Sequence, residues 1–401
     1  MGGGGITEIG ALPKDWDMVN LSQVFKLASG TSRPKDISET RSEKMPYPIY
    51  GGNGILGYTD QFVIDKEAIV IGRVGEYCGS IHRAPRFSWI SDNALYASEI
   101  LIDNINLDFL IYELTFINLN QFKKISGQPL MTQTIINSIK IPLPPLPEQR
   151  CIAEVLGTVD NAIQKVGGAI ESTERLTKGL MQRLLTKGIG HERFKESELG
   201  RVPEEWEVVR LGDVCNQKSE ITMPSGKGEN KFVGLEHINP GEIKIHTYQL
   251  DTDVKSSKFR FRRGEILYGK LRPYLDKAVI ADFEGICSTD LLVLTNIDNK
   301  ALAEFLIYLI HSNKFIQNSN SATSGTNHPR TSWKEISKFK FGLPPLPEQR
   351  RIAKILSAVD RKLELERRRK EKLERVKKGL MNELLTGRKR VKVETDGNIY
   401  K

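Results

Sequence analysis

A chain that carries the same proline-led octapeptide twice has to build the structure around it twice. The octapeptide is Leu143-Pro144-Pro145-Leu146-Pro147-Glu148-Gln149-Arg150, and it returns as Leu343-Pro344-Pro345-Leu346-Pro347-Glu348-Gln349-Arg350. Each copy opens a stretch without further proline in which apolar residues recur every three or four positions, the period of an amphipathic helix. The match continues downstream. Ile152, Ala153, Leu156, Val159 and Asp160 correspond to Ile352, Ala353, Leu356, Val359 and Asp360, and Lys178-Gly179-Leu180-Met181 to Lys378-Gly379-Leu380-Met381. Leu184-Leu185-Thr186 recurs as Leu384-Leu385-Thr386.

The chemistry of the octapeptide explains why a helix starts there. Proline fixes φ and lacks an N–H, so Pro-Pro-Leu-Pro is extended and its last proline suits a first helical turn. Glu148 and Glu348 fall in that turn, where the helix dipole favours a negative charge. Read by sevens, the first helix places Ile152, Val159, Val166, Thr173 and Leu180 on one line and Leu156, Ile163, Ile170, Thr177 and Leu184 on another, a coiled-coil seam. In the second helix Glu366, Lys370 and Lys377 interrupt the same lines, leaving a seam apolar at its ends and polar in its centre. The first helix leads away from one globule to the next, and the second starts at that next globule. To share a seam the two must run antiparallel. Residues 148–185 at ~1.5 Å per residue span roughly 55 Å, the length of about 16 base pairs of duplex.

Two globules precede the two helices, and they open and close alike. Ile9-Gly10-Ala11-Leu12-Pro13-Lys14-Asp15-Trp16 resembles Leu199-Gly200-Arg201-Val202-Pro203-Glu204-Glu205-Trp206, and Val19, Leu21 and Val24 match Val209, Leu211 and Val214. Phe109-Leu110-Ile111-Tyr112 matches Phe305-Leu306-Ile307-Tyr308, and Ser126-Gly127 matches Ser324-Gly325. Between these frames the sequences diverge, as one fold reading two different things requires. Short strands and turns are expected inside. Ala68-Ile69-Val70-Ile71-Gly72-Arg73 reads as a buried strand ending in a basic residue, and Glu265 to Arg272 repeats it with Lys270 in the place of Arg73. Gly51-Gly52-Asn53-Gly54 reads as a tight hairpin rather than a phosphate cradle, because no Lys-Ser/Thr helix start follows.

Composition bears on partners and on chemistry. The net charge of +9 belongs to the second helix: residues 351–390 hold 15 Lys and Arg against 6 Asp and Glu, and the remainder is near balance. This is either a solvated face or a positive strut near DNA phosphate. The six histidines and four cysteines show no metal-ligand spacing, and no dinucleotide fingerprint or Asn-Pro-Pro-aromatic methyltransferase motif is present. Asp92 and Asp290 stand near strand starts, where turn or capping roles are expected. Without a signal peptide or a long apolar run, a reducing cytoplasm and no membrane are expected. Met1 to Gly5 reads as a flexible leader.

The duplicated Pro-Leu-Pro-Glu-Gln helix start, the Lys-Gly-Leu-Met ends, Tyr50-Gly51-Gly52-Asn53-Gly54 and Gly285-Ile286-Cys287-Ser288-Thr289-Asp290 together resemble the specificity (S) subunit of type I restriction-modification systems. The resemblance covers roughly residues 7–386. It implies an α+β chain with a pseudo-twofold repeat: a target-recognition domain at 6–141, a helical spacer at 142–190, a second domain at 191–341, a second spacer at 342–390 and a tail at 391–401. Each domain reads half of a split, asymmetric double-stranded DNA target. The helical regions dock two modification subunits, with Leu146, Glu148, Arg150, Leu346, Glu348 and Arg350 as docking residues. Those partners hold S-adenosylmethionine and transfer methyl to adenine, and restriction subunits translocate and cleave. This chain then has no cofactor and no catalysis of its own. One departure is Gly167-Gly168 inside the first helix, which lowers helix propensity and argues against a uniformly packed strut.

DNA contacts are expected from polar and basic residues of variable loops. In the first domain these are Asn53, Arg73, Tyr77, Arg83, Arg86, Gln128 and Gln133; in the second, Lys270, Arg272, Tyr274, Thr326, Asn327, His328 and Arg330. Arg suits guanine and Asn or Gln suits adenine in the major groove. Two other readings stay open: an enzyme whose site hides in one globule, and a coiled-coil scaffold that binds no DNA.

Overall fold

The computed structural model of the chain describes residues 12–124, 129–323 and 329–392. It divides into two compact units, residues 1–167 with 368–401, and residues 168–367. Each unit contains one globule, the adjoining half of the helix that leaves it, and half of the other helix.

In the first unit Asp17–Asn20 pairs antiparallel with Lys140–Leu143, from Asp17 opposite Leu143 to Asn20 opposite Lys140. In the second, Glu207–Arg210 pairs with Lys340–Leu343 in the same sense, Glu207 opposite Leu343. In both units a two-stranded ribbon therefore opens the globule just after the matching Trp16 or Trp206 and closes it just before the proline run. The main sheet is also shared. Its order in the first unit is Phe25–Ser29, Ala94–Ile100, Ala68–Gly72, Ile81–Ala84, and in the second Cys215–Lys218, Leu291–Asn296, Ile266–Gly269, Ala278–Ile280, with all pairs antiparallel. Ala68–Gly72 and Ile266–Gly269 are buried at every position, which is why they read as continuous apolar runs rather than alternating ones. A helix covers each sheet. Leu107–Ile117 buries Phe109, Leu110 and Leu114, and its start is capped by Asn106, whose side chain accepts from the Phe109 N–H at 2.9 Å. Ala303–Ile310 takes the equivalent place.

The globules diverge in their second sheet. The first unit has three strands, Gly54–Thr59, Tyr47–Gly51 and Trp89–Ile90. The second has five, in the order Ile221–Thr222, Lys258–Phe261, Gly285–Cys287, Lys231–Val233, Gln249–Leu250. Both keep one parallel pair, Tyr47–Gly51 with Trp89–Ile90 and Lys231–Val233 with Gly285–Cys287.

The long helices are Leu146–Lys187 and Leu346–Leu384. In the first unit Ile152, Ala153 and Leu156 pack with Met381, Leu384 and Leu385 around Trp16 and Phe109. In the second, Ile352 and Leu356 pack with Leu184 and Leu185 around Trp206 and Phe305. The beginning of one helix thus meets the end of the other in both units, the antiparallel seam that the heptads require. Leu156 and Leu356 are fully buried. Truncating either to alanine costs about 3 kcal/mol in lost burial and cavity.

Gly167 and Gly168 do not break the helix, which runs through them. A Cβ at either position would meet nothing within 4 Å. The helix tolerates about 1 kcal/mol per glycine because the seam residues Val166 and Thr173 on either side are buried, with Ile163 and Ile170 half-buried. Polar seam positions also find partners. The Thr173 hydroxyl donates to the Ala169 carbonyl at 2.8 Å, and Lys377 ion-pairs with Asp160 at 2.6 Å.

Candidate nucleic-acid interface and helix anchors

In each globule the central strand of the main sheet ends in a basic residue held by the same two backbone bonds. The Arg73 N–H donates to the Asn93 carbonyl at 2.9 Å, and its carbonyl accepts from the Met131 N–H at 2.8 Å. The Lys270 N–H donates to the Asp290 carbonyl at 3.0 Å, and its carbonyl accepts from the Thr331 N–H at 2.9 Å. Two residues on, Gly75 donates to the Pro129 carbonyl and Arg272 to the Pro329 carbonyl. Arg73 and Lys270 are therefore structural equivalents. Each lies where the strand-end loop meets the returning segment that begins at Pro129 or Pro329.

In the first globule this junction brings together Arg73, exposed Tyr77 and the segment leading to Gln133, which opens the short helix Gln133–Asn137. Gly51–Gly54 is the expected hairpin turn, with Asn53 at its exposed tip and Gly54 at φ +87°. The turn is tied to the same strand end, because the Gly52 carbonyl accepts from Ser80 Oγ and lies 3.2 Å from His82 Nε2. In the second globule Lys270, Arg272, exposed Tyr274 and Arg330 converge. Arg272 holds a left-handed backbone, φ +50°, a strain of order 1–3 kcal/mol that its surroundings must impose. Arg330 approaches Asp290 at 3.4 Å, and Ser288 Oγ accepts from the Asp290 N–H at 3.2 Å, so Asp290 has the turn role expected of it and an ion pair besides.

Arg83 and Arg86 do not join their group. Arg83 lies opposite Ile69, at the far end of the strand that leads to Arg73. Its guanidinium is engaged by Glu67 at 2.7 Å and by Asp108, and these carboxylates, Glu67 first, raise its pKa further. Arg86 stacks on the Phe87 ring at 4.4 Å. Both reflect surface chemistry that periodicity cannot distinguish from a ligand contact. Gln128, Thr326, Asn327 and His328 lie outside the described residues, as do Ser126-Gly127 and Ser324-Gly325.

At the helix starts the acidic and amide residues face inward. Glu148 is buried, and its carboxylate accepts from Trp16 Nε1 at 2.9 Å and from Arg390 at 2.6 and 2.7 Å. Glu348 accepts from Trp206 Nε1 at 2.8 Å and from the Ile189 N–H at 2.9 Å, with His191 Nε2 at 2.8 Å. The neighbouring amides repeat the theme. Gln149 accepts from the Asn106 N–H and donates to the carbonyls of Asn104 and Pro144; Gln349 accepts from the Leu302 N–H and donates to those of Lys300 and Pro344. Glu-Gln is thus an anchor of each helix to its own globule. The two glutamates expected as docking residues are thus turned toward their own units, bonded to Trp16 and Arg390 and to Trp206 and Ile189. Among the six helix-start candidates only Arg150 and Arg350 are exposed, with Leu146 and Leu346 half-buried. The opening Trp and the Glu both stood out in the sequence, but nothing local joins residues 132 apart.

Three buried cysteines are poor nucleophiles: burial pushes the Cys215 and Cys287 thiols up to about 12 and raises Cys78. Among the described residues no His, Cys, Asp and Glu group could hold a metal ion, and no helix is long and apolar enough to cross a membrane.

Residues 13–172 and 203–375 each match the family model described as the type I restriction modification DNA specificity domain. The chain is 29% identical over 402 residues to the MjaVIII type I restriction enzyme specificity subunit of Methanocaldococcus jannaschii, covering 95% of this chain and 94% of that one. It is 30% identical over 428 residues to the putative MjaX specificity subunit of the same organism, covering 96% of each. The EcoDI specificity subunit of Escherichia coli is 26% identical over 381 residues, 86% of this chain and 81% of that one. The fold is shared with the crystal structure of a type I restriction-modification S subunit from M. genitalium, with TM-score 0.65, 17% identity and coverage of 94% of this chain and 98% of that one. A duplicated globule, duplicated anchors and a family match in both halves place the chain in the family of type I restriction-modification DNA specificity subunits.

Proposed function

We propose that the two strand-end junctions read the two halves of one bipartite, asymmetric DNA target. The observation that carries this is the equivalence of Arg73 and Lys270 in backbone bonding while the side chains around them differ. Two identical frames presenting Asn53, Arg73, Tyr77 and Gln133 in one copy and Lys270, Arg272, Tyr274 and Arg330 in the other recognise unlike sequences. Arginine and lysine there supply guanine or phosphate contacts, and Asn53 and Gln133 the bidentate geometry that adenine takes. The chain acts as the DNA-recognition subunit, and the chemistry belongs to the subunits with which it assembles. In our reading these are two modification subunits carrying S-adenosylmethionine, docked on the helical regions 142–190 and 342–390 near Arg150 and Arg350, with restriction and translocase subunits beyond them, all in the cytoplasm. The recognition domains are 6–141 and 191–341, followed by a tail at 391–401.

The test is to exchange residues 191–341 for the corresponding globule of another family member and to map methylated adenines in cells carrying the modification subunits. One half of the target changes and the other persists. A simultaneous change in both halves overturns independent reading. The helices are further assigned the role of a ruler. One heptad added after Val159 and another after Val359 keeps the seam in register and lengthens each helix by ~10 Å, about three base pairs. Full methylation at the original spacing overturns that role.

A further inference from the structure

We propose that the second unit contains a binding site for an aliphatic primary ammonium group, seated on the Asp360 carboxylate in the place that Lys377 fills in the first unit. The two units repeat one arrangement up to a single difference. In the first, the Tyr112 hydroxyl donates to Asp160 Oδ2 at 2.8 Å, and Lys377 Nζ lies 2.6 Å from Asp160 Oδ1 and 5.4 Å from the centre of the Tyr112 ring. Carboxylate and aromatic face together hold the ammonium. In the second, the Tyr308 hydroxyl donates to Asp360 Oδ2 at 2.7 Å. The residue 200 positions before Lys377 is Thr177, too short to reach across, and its hydroxyl donates to the Thr173 carbonyl of its own helix at 2.9 Å.

Thr177 and Asp360 both line a cavity of about 980 Å³, together with Met181, Ile243, Tyr308 and Leu363 among others. Its basic neighbours already have partners. His311 lies 2.7 Å from Asp276, Arg367 2.8 Å from Glu174, and Lys244 4.0 Å from Glu364. Among the described residues no ammonium or guanidinium sits on Asp360 as Lys377 sits on Asp160, and burial pushes its carboxyl above the ordinary value despite the Tyr308 hydrogen bond and the more distant charges of Lys244 and Arg367. A half-buried carboxylate beside a tyrosine ring and apolar walls suits an ammonium on an aliphatic stem. Lys338 and Lys340, which also line the cavity and pair with Glu335 and Glu198, oppose a second positive charge on the ligand. One ammonium on an apolar chain is therefore favoured over a polyamine. Such a group can come from a free amine or from a lysine side chain.

The test titrates the full chain with pentylammonium chloride by calorimetry and thermal denaturation, against tetramethylammonium and sodium chloride at equal ionic strength. Saturable binding and a raised Tm with pentylammonium alone are expected. Thr177→Lys supplies the ammonium internally and abolishes the binding, and Asp360→Asn, which keeps an acceptor for Tyr308, weakens it by about tenfold or more. Lys377→Thr opens the equivalent space in the first unit and adds a second equivalent of bound amine. Nα-acetyl-lysine N-methylamide separates the sources: tighter binding than pentylammonium marks a lysine side chain as the ligand, weaker binding a free amine. Responses to pentylammonium no different from those to the control salts, or unchanged binding by Thr177→Lys, overturn the proposal.

Discussion

The two helix anchors use the same tryptophan and glutamate but complete them differently. Glu148 is closed by a guanidinium, Arg390, which also bridges to Asp15 at 2.6 and 2.9 Å. Glu348 is closed by a backbone N–H and an imidazole, from Ile189 and His191. In both cases the closing group comes from the segment after a helix, which turns back at a glycine of positive φ, Gly188 or Gly387. At Gly188 the turn has no room for a side chain, since a Cβ would lie 2.4 Å from Glu348 Oε1. The difference teaches that these two carboxylates can be satisfied by different donor sets and do not require a particular cation. A guanidinium satisfies two carboxylates at once, whereas the imidazole solution depends on the backbone as second donor.

The largest effect should come from removing the carboxylates. Glu148→Ala strands Arg390 and the Trp16 N–H, and should cost about 3 kcal/mol in denaturant unfolding. Glu348→Ala leaves a neutral-capable imidazole and an N–H that can take water, and should cost about 2 kcal/mol. A larger loss for Glu348→Ala would reverse the comparison. Next comes Arg390→Lys, which keeps the charge but loses the fork that spans Glu148 and Asp15, for about 1 kcal/mol. Lys377→Met, at a pair 26% and 35% exposed, should cost no more than about 0.5–1 kcal/mol, and Thr177→Met in the other unit should cost nothing or stabilise by filling space.

A further difference between the units is a dependence on acid. Asp251, which follows the edge strand Gln249–Leu250 of the enlarged second sheet, is hydrogen-bonded by the Asn230 side chain first, then by the Asn230 and Ser225 N–H groups and the Ser225 hydroxyl, and these hold its carboxyl at about 2. A folded value below the unfolded one gives stability that is fully present above pH ~4 and is lost as pH falls toward 2. Amide exchange at residues 225–230 should therefore accelerate in that window before the matching part of the first globule does.

The sequence carried the duplication, the helix starts, the antiparallel seam and the equivalence of Arg73 with Lys270, because each rests on local periodicity or on residue-for-residue repetition. It did not carry the partners of Glu148, since Trp16 and Arg390 lie 132 and 242 positions away. Nor did it carry the five-stranded second sheet, whose strands Ile221–Thr222 and Gln249–Leu250 are too short to show alternation. The glycine pair lowers propensity without ending the helix, because propensity counts one residue at a time and burial counts a whole face. The surroundings of Arg83 and Arg86 were not legible either, because a basic surface residue looks the same in sequence whether or not Glu67 or Phe87 lies beside it.

The ribbon that closes each globule also has a kinetic meaning. Pairing Asn20 with Lys140, or Arg210 with Lys340, joins residues more than a hundred apart. Such a closure carries the entropy of a long loop before any bond rewards it, so it belongs late in folding. The hairpin at Gly51–Gly54 and the helical turns need no such wait. Only when the ribbon zips does the proline run take its direction and bring Glu148 within reach of Trp16. Each helix can thus be wound well before it is aimed, and the slow step in maturation of this chain is the aiming.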